Sequence, residues 1–280
     1  MSVRTALQQG AFRLQAAGVP DPEIDAALLL GSVLRMGRLQ LLSRGDLELT
    51  SDQQAAYEGL LARRALREPL QYILGATGFM GHEFLCRPGV LIPRSDTETL
   101  CLQGLERLQP GQRALDLCCG SGAVGISMKL ARPSAEMWLS DISDDALSLS
   151  RENARRLQAD VNFAQGDLFA PLTGAFDLIC CNPPYIPSVE LPNLQQEVRQ
   201  EPALALDGGP DGLHVYRRIL REAPAYLTPR GWLLLELGDG QAQALRALAQ
   251  VDFDTISVYD DLSGLPRVLA ARRKENNAVP

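Results

Sequence analysis

Residues 1–70 look helical and contain no strand-like alternation of apolar and polar positions. Asp21-Pro22-Glu23 places an N-cap, a first-turn proline and an acidic first turn ahead of the apolar run from Ile24 to Leu30. Ser51 followed by Gln54 has the spacing of a capping box for a further helix. A small helical bundle is predicted, expected to act as a substrate-docking domain. From Tyr72 to Pro93 the texture changes to glycine and aromatic residues, with Phe79, Phe84 and an Arg87-Pro88-Gly89 turn before Val90-Leu91-Ile92. That pattern predicts a β-hairpin linker over residues 71–94. Ser95 and Glu98 are spaced as a capping box opening a helix to about Leu108, so Glu98 reads either as a cap or as a site residue.

After Pro110-Gly111 strands and helices alternate, as a parallel sheet requires. Strands are predicted near Arg113 to Cys118, Glu136 to Asp141, Val161 to Gln165, Phe176 to Cys181, Trp232 to Leu237, Asp252 to Tyr259 and Arg267 to Ala271. Helices are predicted near Ala123 to Ala131, Asp145 to Leu157, Leu213 to Leu227 and Gln241 to Ala249. The fold class is α/β: a seven-stranded, doubly wound, Rossmann-like sheet over residues 95–280, with its last strand antiparallel. The tail from Arg273 is polar and reads as frayed.

Composition narrows the class without choosing a function. An apolar content of 46% over 280 residues is ample for a core. The longest apolar run, Ala26 to Leu30, is far too short to span a bilayer, and a cytoplasmic location is expected. The six cysteines, Cys86, Cys101 and the pairs Cys118-Cys119 and Cys180-Cys181, have no C-x-x-C spacing and predict reduced thiols and no metal. Net charge is -7, and residues 1–70 carry 8 basic and 8 acidic side chains, so neither part presents a basic domain for nucleic acid.

The chemistry concentrates at strand ends. Asn182-Pro183-Pro184-Tyr185 follows a buried strand, at the carboxyl end where open α/β sheets keep ligands. Each proline fixes φ and removes an N–H, leaving a rigid loop rich in acceptors. The Asn182 side-chain oxygen and the adjacent carbonyl could take both hydrogens of an NH2 group on an amide or an amino-purine, and Tyr185 could stack on the flat group. The bland alternative is a simple turn. Asp116-Leu117-Cys118-Cys119-Gly120-Ser121-Gly122 joins the first strand to its helix and lets the backbone approach a ligand. With Gly125 it is also a G-x-G-x-x-G run, which alone does not separate NAD from S-adenosylmethionine. Asp116 is placed for the ammonium group of the methyl donor, Asp141 for ribose hydroxyls, and Asp167-Leu168 for the adenine. Asp141 beside Ser143 could instead cap a helix, and Asp167 could form an Asx-turn. Glu236 ends a buried strand, where an acid either supports the site from behind or accepts backbone bonds.

On these motifs the chain resembles the class I S-adenosylmethionine-dependent methyltransferases. Within them it is similar to the glutamine methyltransferases of the PrmC/HemK type, which modify peptide chain release factors. Gln71-Tyr72-Ile73-Leu74-Gly75, Val90 to Arg94, Glu201-Pro202, Asp207-Gly208-Gly209 and Leu234 to Gly238 carry the likeness along with the two loops. The resemblance implies methyl transfer from S-adenosylmethionine, leaving S-adenosylhomocysteine, to the glutamine of the Gly-Gly-Gln motif of class I release factors. It implies that Asn182 and Pro183 hold the glutamine amide, that Tyr185 packs against it, and that Cys118 to Gly122, Asp141, Leu168 and Asn182 contact the donor. The family usually has Gly-Thr at Cys118-Cys119 and Pro-Glu-Thr-Glu at Ser95 to Glu98. A cysteine in the Gly loop is closer to relatives that methylate a glutamine of a large-subunit ribosomal protein. Adenine amino methylation of nucleic acid, a NAD-dependent oxidoreductase and a non-enzymatic binding module are the other readings.

Overall fold

The computed structural model describes residues 1–275. One compact unit comprises Met1–Ala76 together with Gln195–Gln200. Its helices are α1 (Val3–Ala16), α2 (Pro22–Leu34), α3 (Arg38–Ser43), α4 (Ser51–Ala65) and α5 (Leu70–Leu74). They close on a core of Val3, Leu14, Leu29, Leu30, Tyr57 and Leu61. Gly10 makes room for the Tyr57 ring: a Cβ there would stand 2.1 Å from the phenol oxygen, which bonds the Ala26 carbonyl. The capping box of α4 forms one residue earlier than Ser51 and Gln54. Thr50 is the last extended residue; its hydroxyl accepts from Gln53 N at 3.2 Å, and Gln53 Oε1 accepts from Thr50 N at 3.0 Å. Asp21 occupies the N-cap position of α2 without a side-chain cap bond.

The second unit comprises Thr77–Leu194 and the chain from Glu201 onward. Its hairpin pairs β1 (Ala76–Phe79) with β2 (His82–Leu85). Met80 and Gly81 at the turn both have positive φ, 49° and 77°, as a type I′ hairpin demands. Glu98 Oε1 accepts from Met80 N at 2.6 Å, so its carboxylate holds the hairpin turn. The capping box expected at Ser95 and Glu98 is therefore not made, and a 3-10 turn over Ser95–Thr97 leads into α6 (Glu98–Arg107).

The remaining elements are β3 (Arg113–Leu117), α7 (Ala123–Ala131), β4 (Glu136–Asp141), α8 (Asp144–Leu157), β5 (Asn162–Gln165), β6 (Phe176–Cys181), α9 (His214–Tyr226), β7 (Leu227–Glu236), α10 (Ala242–Ala249), β8 (Phe253–Asp260) and β9 (Pro266–Arg273). The seven larger strands form one sheet in the order β5-β4-β3-β6-β7-β9-β8. Its pairings are parallel from β5 to β7, while β9 is antiparallel to both neighbours. Alternation along each strand feeds two cores. Ala114, Leu139, Leu178 and Leu234 pack with residues of α6, α7 and α8, and Leu115, Ile179, Leu233 and Leu269 with those of α9 and α10. This is the predicted doubly wound, Rossmann-like sheet.

Two predicted edges move. β7 starts at Leu227 rather than Trp232, because Pro229-Arg230-Gly231 is absorbed as an irregularity: the register jumps from Phe176↔Leu227 to Leu178↔Trp232, and Arg230 has a φ of 63°. The tail is anchored where fraying was expected. The Arg273 guanidinium bonds the Leu227 carbonyl, Lys274 Nζ bonds Val251 O at 2.7 Å, and Glu275 pairs with Arg230 at 2.6 Å. The rest of that tail lies outside the described residues.

Candidate active site

The sheet order reverses between β3 and β6, and the loops leaving the carboxyl ends of β3, β4, β5 and β6 meet there. Asp141, the last residue of β4, ties three of these segments together. Its Oδ2 accepts from Gly120 N and its Oδ1 from Ser143 N, both at 2.9 Å, and its main-chain oxygen accepts from Gly166 N at 3.0 Å. Burial raises the Asp141 carboxyl above its ordinary range, while the Ser143 and Gly120 N–H groups pull it back. Asp141 braces the Ser143 start of α8 and also lines the cavity beside it.

That cavity has a volume of about 260 Å³, of the order of a small-molecule site. Cys118, Gly120, Asp141, Asp167, Leu168, Asn182 and Pro184 all line it. Cys118 and Leu168 have φ of 58° and 48°, a left-handed backbone that a residue with a Cβ adopts at a cost of roughly 1–2 kcal/mol. Such a conformation persists only where the surrounding structure holds it. Asp167 is exposed and pairs with Arg218 at 2.7 Å, which also lines the wall.

Other expected residues lie behind the wall. Cys119 and Ser121 are buried, and Gly122, at a φ of 80°, packs where a Cβ would stand 2.3 Å from Ser150 Oγ. Asp116 does not line the cavity: its carboxylate turns under α7 and accepts from Gly125 N at 2.8 Å. The wall is completed by residues that sequence reasoning did not assign to the site: Val90 and Leu91 after the hairpin, Ile142, and Leu204 and Ala205. Glu201 joins two of these segments, accepting from Ile92 N at 2.9 Å and from the Arg94 guanidinium. The Glu201-Pro202 dipeptide was the only local sign of it.

Asn182 leaves β6 with its Nδ2 donating to Thr97 Oγ1 at 3.4 Å. Pro183 is buried, and Tyr185 borders a second cavity of about 470 Å³ with Ile186, Pro187, Gln241 and Arg267. Burial raises the Tyr185 hydroxyl to about 12, helped by the Glu236 charge and opposed by Arg267 and Arg94. Three glycines let the chain close around this tyrosine. A Cβ on Gly208 would meet Tyr185 Cα at 2.7 Å, one on Gly212 the Tyr185 carbonyl at 2.4 Å, and one on Gly238 the ring at 2.8 Å. Asn182-Pro183-Pro184-Tyr185 is thus a clamped loop bordering two cavities.

Comparison with known proteins agrees with this geometry. Residues 5–75 match the PrmC N-terminal domain and residues 88–209 the methyltransferase small domain. The chain is 42% identical to a release factor glutamine methyltransferase of Moorella thermoacetica, over 98% of this chain and 100% of that protein. The chain belongs to the release factor glutamine methyltransferase family. A relative of that name from Deinococcus radiodurans is also 42% identical, over 98% of this chain and 99% of its own length. A methyltransferase structure from Pyrococcus furiosus shares the fold at a TM-score of 0.55 and 18% identity, covering 80% of this chain and all of that one. Cys118 stands in the left-handed region, where a glycine would carry no steric cost. Burial, with Cys118 nearby, raises the Cys181 thiol well above its ordinary range.

Proposed function

We propose that this protein transfers a methyl group from S-adenosylmethionine to the side-chain amide nitrogen of the glutamine in the Gly-Gly-Gln motif of class I release factors. Family membership over nearly the full length supports the substrate. One observation carries the chemistry: the Asn182 NH2 is engaged by Thr97, and its Oδ1 has no hydrogen-bond partner among the described residues while the residue lines the cavity. Release factors as partners and a cytoplasmic location belong to the same reading, and no helix among the described residues is long and apolar enough to cross a membrane.

The lining of the cavity supports binding of the donor. Apolar Leu117, Ile142 and Leu168 offer faces for a flat ring, and the Asp141 carboxylate is a ready acceptor for hydroxyls. Cys118, Gly120, Asp167 and Asn182 would complete the donor's contacts; Cys119, Ser121 and Gly122 would shape the turn behind it, and Asp116 would act from beneath. S-adenosylmethionine, when bound, supplies an electrophilic methyl on a sulfonium and leaves as S-adenosylhomocysteine. The chain's own task is to hold a poor nucleophile. Asn182 Oδ1 and the Pro183 carbonyl accept the two N–H groups of the glutamine amide, and Tyr185 packs against its plane. Two acceptors on one NH2 restrain rotation and favour positive charge as it develops on the nitrogen. Pro184 contributes stiffness and the absence of a competing N–H.

The test is methyl transfer from S-adenosylmethionine to a purified release factor, a large-subunit ribosomal protein and an adenine-containing oligonucleotide, with the modified site read by mass spectrometry. One methyl on the Gly-Gly-Gln glutamine is expected. Modification of the ribosomal protein or the base instead would move the substrate and leave the donor site standing. Asn182→Ala is expected to lower kcat by about 100-fold or more while donor affinity changes only a few-fold. Equal losses in both would remove Asn182 from the acceptor role.

A further inference from the structure

Behind Asn182 lies a short line of polar groups that holding the amide does not by itself require. Asn182 Nδ2 donates to Thr97 Oγ1 at 3.4 Å, and the Thr97 side chain stands beside the Glu236 carboxylate, whose charged form it favours. Thr97 is 6% exposed and Glu236 2% exposed. Glu236 ends β7 one residue beyond Leu235, the register partner of Cys181, so it stands at the level of Asn182. Its Oε2 is buried with no hydrogen-bond partner among the described residues. A carboxylate kept dry and only partly satisfied needs a reason beyond stability.

The chemistry of these three groups favours one order of donors along the line. A threonine hydroxyl has one proton, and an ionised carboxylate can only accept. Thr97 therefore gives its proton to Glu236 and presents a lone pair to Asn182, which must turn its NH2 inward and its oxygen outward. A flipped amide would set two oxygens against each other. We infer that Glu236, acting through the Thr97 hydroxyl, is a positioning residue that fixes the Asn182 amide with its oxygen towards the acceptor glutamine. The inference rests on the role given to Asn182 in the proposed function.

The same line works in reverse when Glu236 gains a proton. A neutral carboxyl can donate to Thr97, whose own proton then turns to Asn182 and favours the flipped amide. Burial pushes the Glu236 carboxyl up to about 7, with the Thr97 side chain, Arg267 and Arg94 opposing and Asp96 adding to the rise. Tyr185 and Tyr216 also face it, the latter bonding its main-chain oxygen at 2.6 Å. Turnover is accordingly low at acid pH and rises as Glu236 ionises.

The experiment is kcat and KM of the full-length protein with a release factor and S-adenosylmethionine, over about pH 6–9. Thr97→Val is expected to lower kcat about tenfold, the worth of one hydrogen bond, with donor affinity unchanged; Thr97→Ser restores it. Glu236→Gln keeps an acceptor for the hydroxyl and loses the acid limb. Thr97→Val with Glu236→Leu costs no more than Thr97→Val alone, because both break one line. The inference is overturned if Thr97→Val leaves kcat unchanged, if Glu236→Gln keeps the wild-type limb, or if the two losses add. Should Glu236→Leu fail to fold, Glu236→Gln and the Thr97 pair decide alone. A wild-type protein that leaves the release factor unmodified rejects the proposed function itself. Full wild-type activity, an inactive Asn182→Ala and silent Thr97 and Glu236 variants reject only the positioning role.

Discussion

Asp116 points its carboxyl into the core under α7, where it is 2% exposed. Sequence spacing suggested that it meets the ligand, but successive residues of a strand face opposite ways. Leu117 takes the cavity side and Asp116 the helix side. Four residues of separation from Gly120 fix distance along the chain and not the face. Burial moves the Asp116 carboxyl from 3.8 to about 7, against the Gly125 N–H and with the Asp141 charge. The folded chain therefore holds this proton more tightly than the unfolded one, so the stabilisation is present at low pH and is lost as pH rises through about 7. Asp116→Asn keeps an acceptor for Gly125 N and never ionises. It is expected to be more stable than wild type by roughly 2 kcal/mol at about pH 8, with the gap closing towards about pH 4. Denaturant midpoints at the two pH values measure it, and a gap independent of pH would show that Asp116 is not a buried titrating group.

Helix α7 is held to the sheet by a glycine with a different meaning from the one in α4. A Cβ on Gly125 would lie 2.8 Å from Leu139 Cδ1 and 2.9 Å from Asp116 Cβ, whereas one on Gly59 meets nothing within 4 Å. Gly59→Ala should therefore stabilise by about 0.5–1 kcal/mol through helix propensity. Gly125→Ala should destabilise by about 1–2 kcal/mol despite the same propensity gain, because overcrowding outweighs it. Thermal melts of the two variants give opposite shifts if close approach is the reason for Gly125. At this scale the chain was largely readable. Buried parallel strands appear as short apolar runs, so β4 and β6 fall where the pattern put them, and α7 likewise. Reading failed where a local signal was claimed by distant chain. Glu98 has cap spacing but serves Met80, and Pro229-Arg230-Gly231 has turn chemistry but lies within β7. The site divides in the same way. Strand-end residues such as Asp141 and Asn182 were legible, whereas Thr97 and Leu204 reach it through folds of the chain that no spacing encodes.

The course of the whole chain sets one further dependence. After the unit that begins at Thr77 has been entered, residues Gln195–Gln200 return to the helical unit before the chain resumes at Glu201. Within the helical unit Glu197 accepts from Arg67 Nε and Nη2 and from Arg64 Nη2, each at 2.7 Å, while Arg64 also binds Asp25 at 2.7 Å. Arg64 is buried, so removal of Glu197 leaves its charge half compensated in a dry site. Burial alone would raise the Glu197 carboxyl, but Arg67 and Arg64 outweigh it and hold it at about 2. A depressed carboxylate stabilises above its unfolded value and loses that contribution as pH falls towards the folded one, so the helical unit should weaken in acid below about pH 4.5. Glu197→Ala should weaken it at neutral pH by about 1–3 kcal/mol. The readout is built into the sequence. Both tryptophans, Trp138 and Trp232, lie in the other unit, whereas far-UV circular dichroism follows helices in both. In Glu197→Ala the dichroism transition in urea should begin before the tryptophan fluorescence transition, and the two should draw together in wild type. Coincident, unshifted transitions in the variant would mean that residues 195–200 are passengers of the helical unit and not one of its supports.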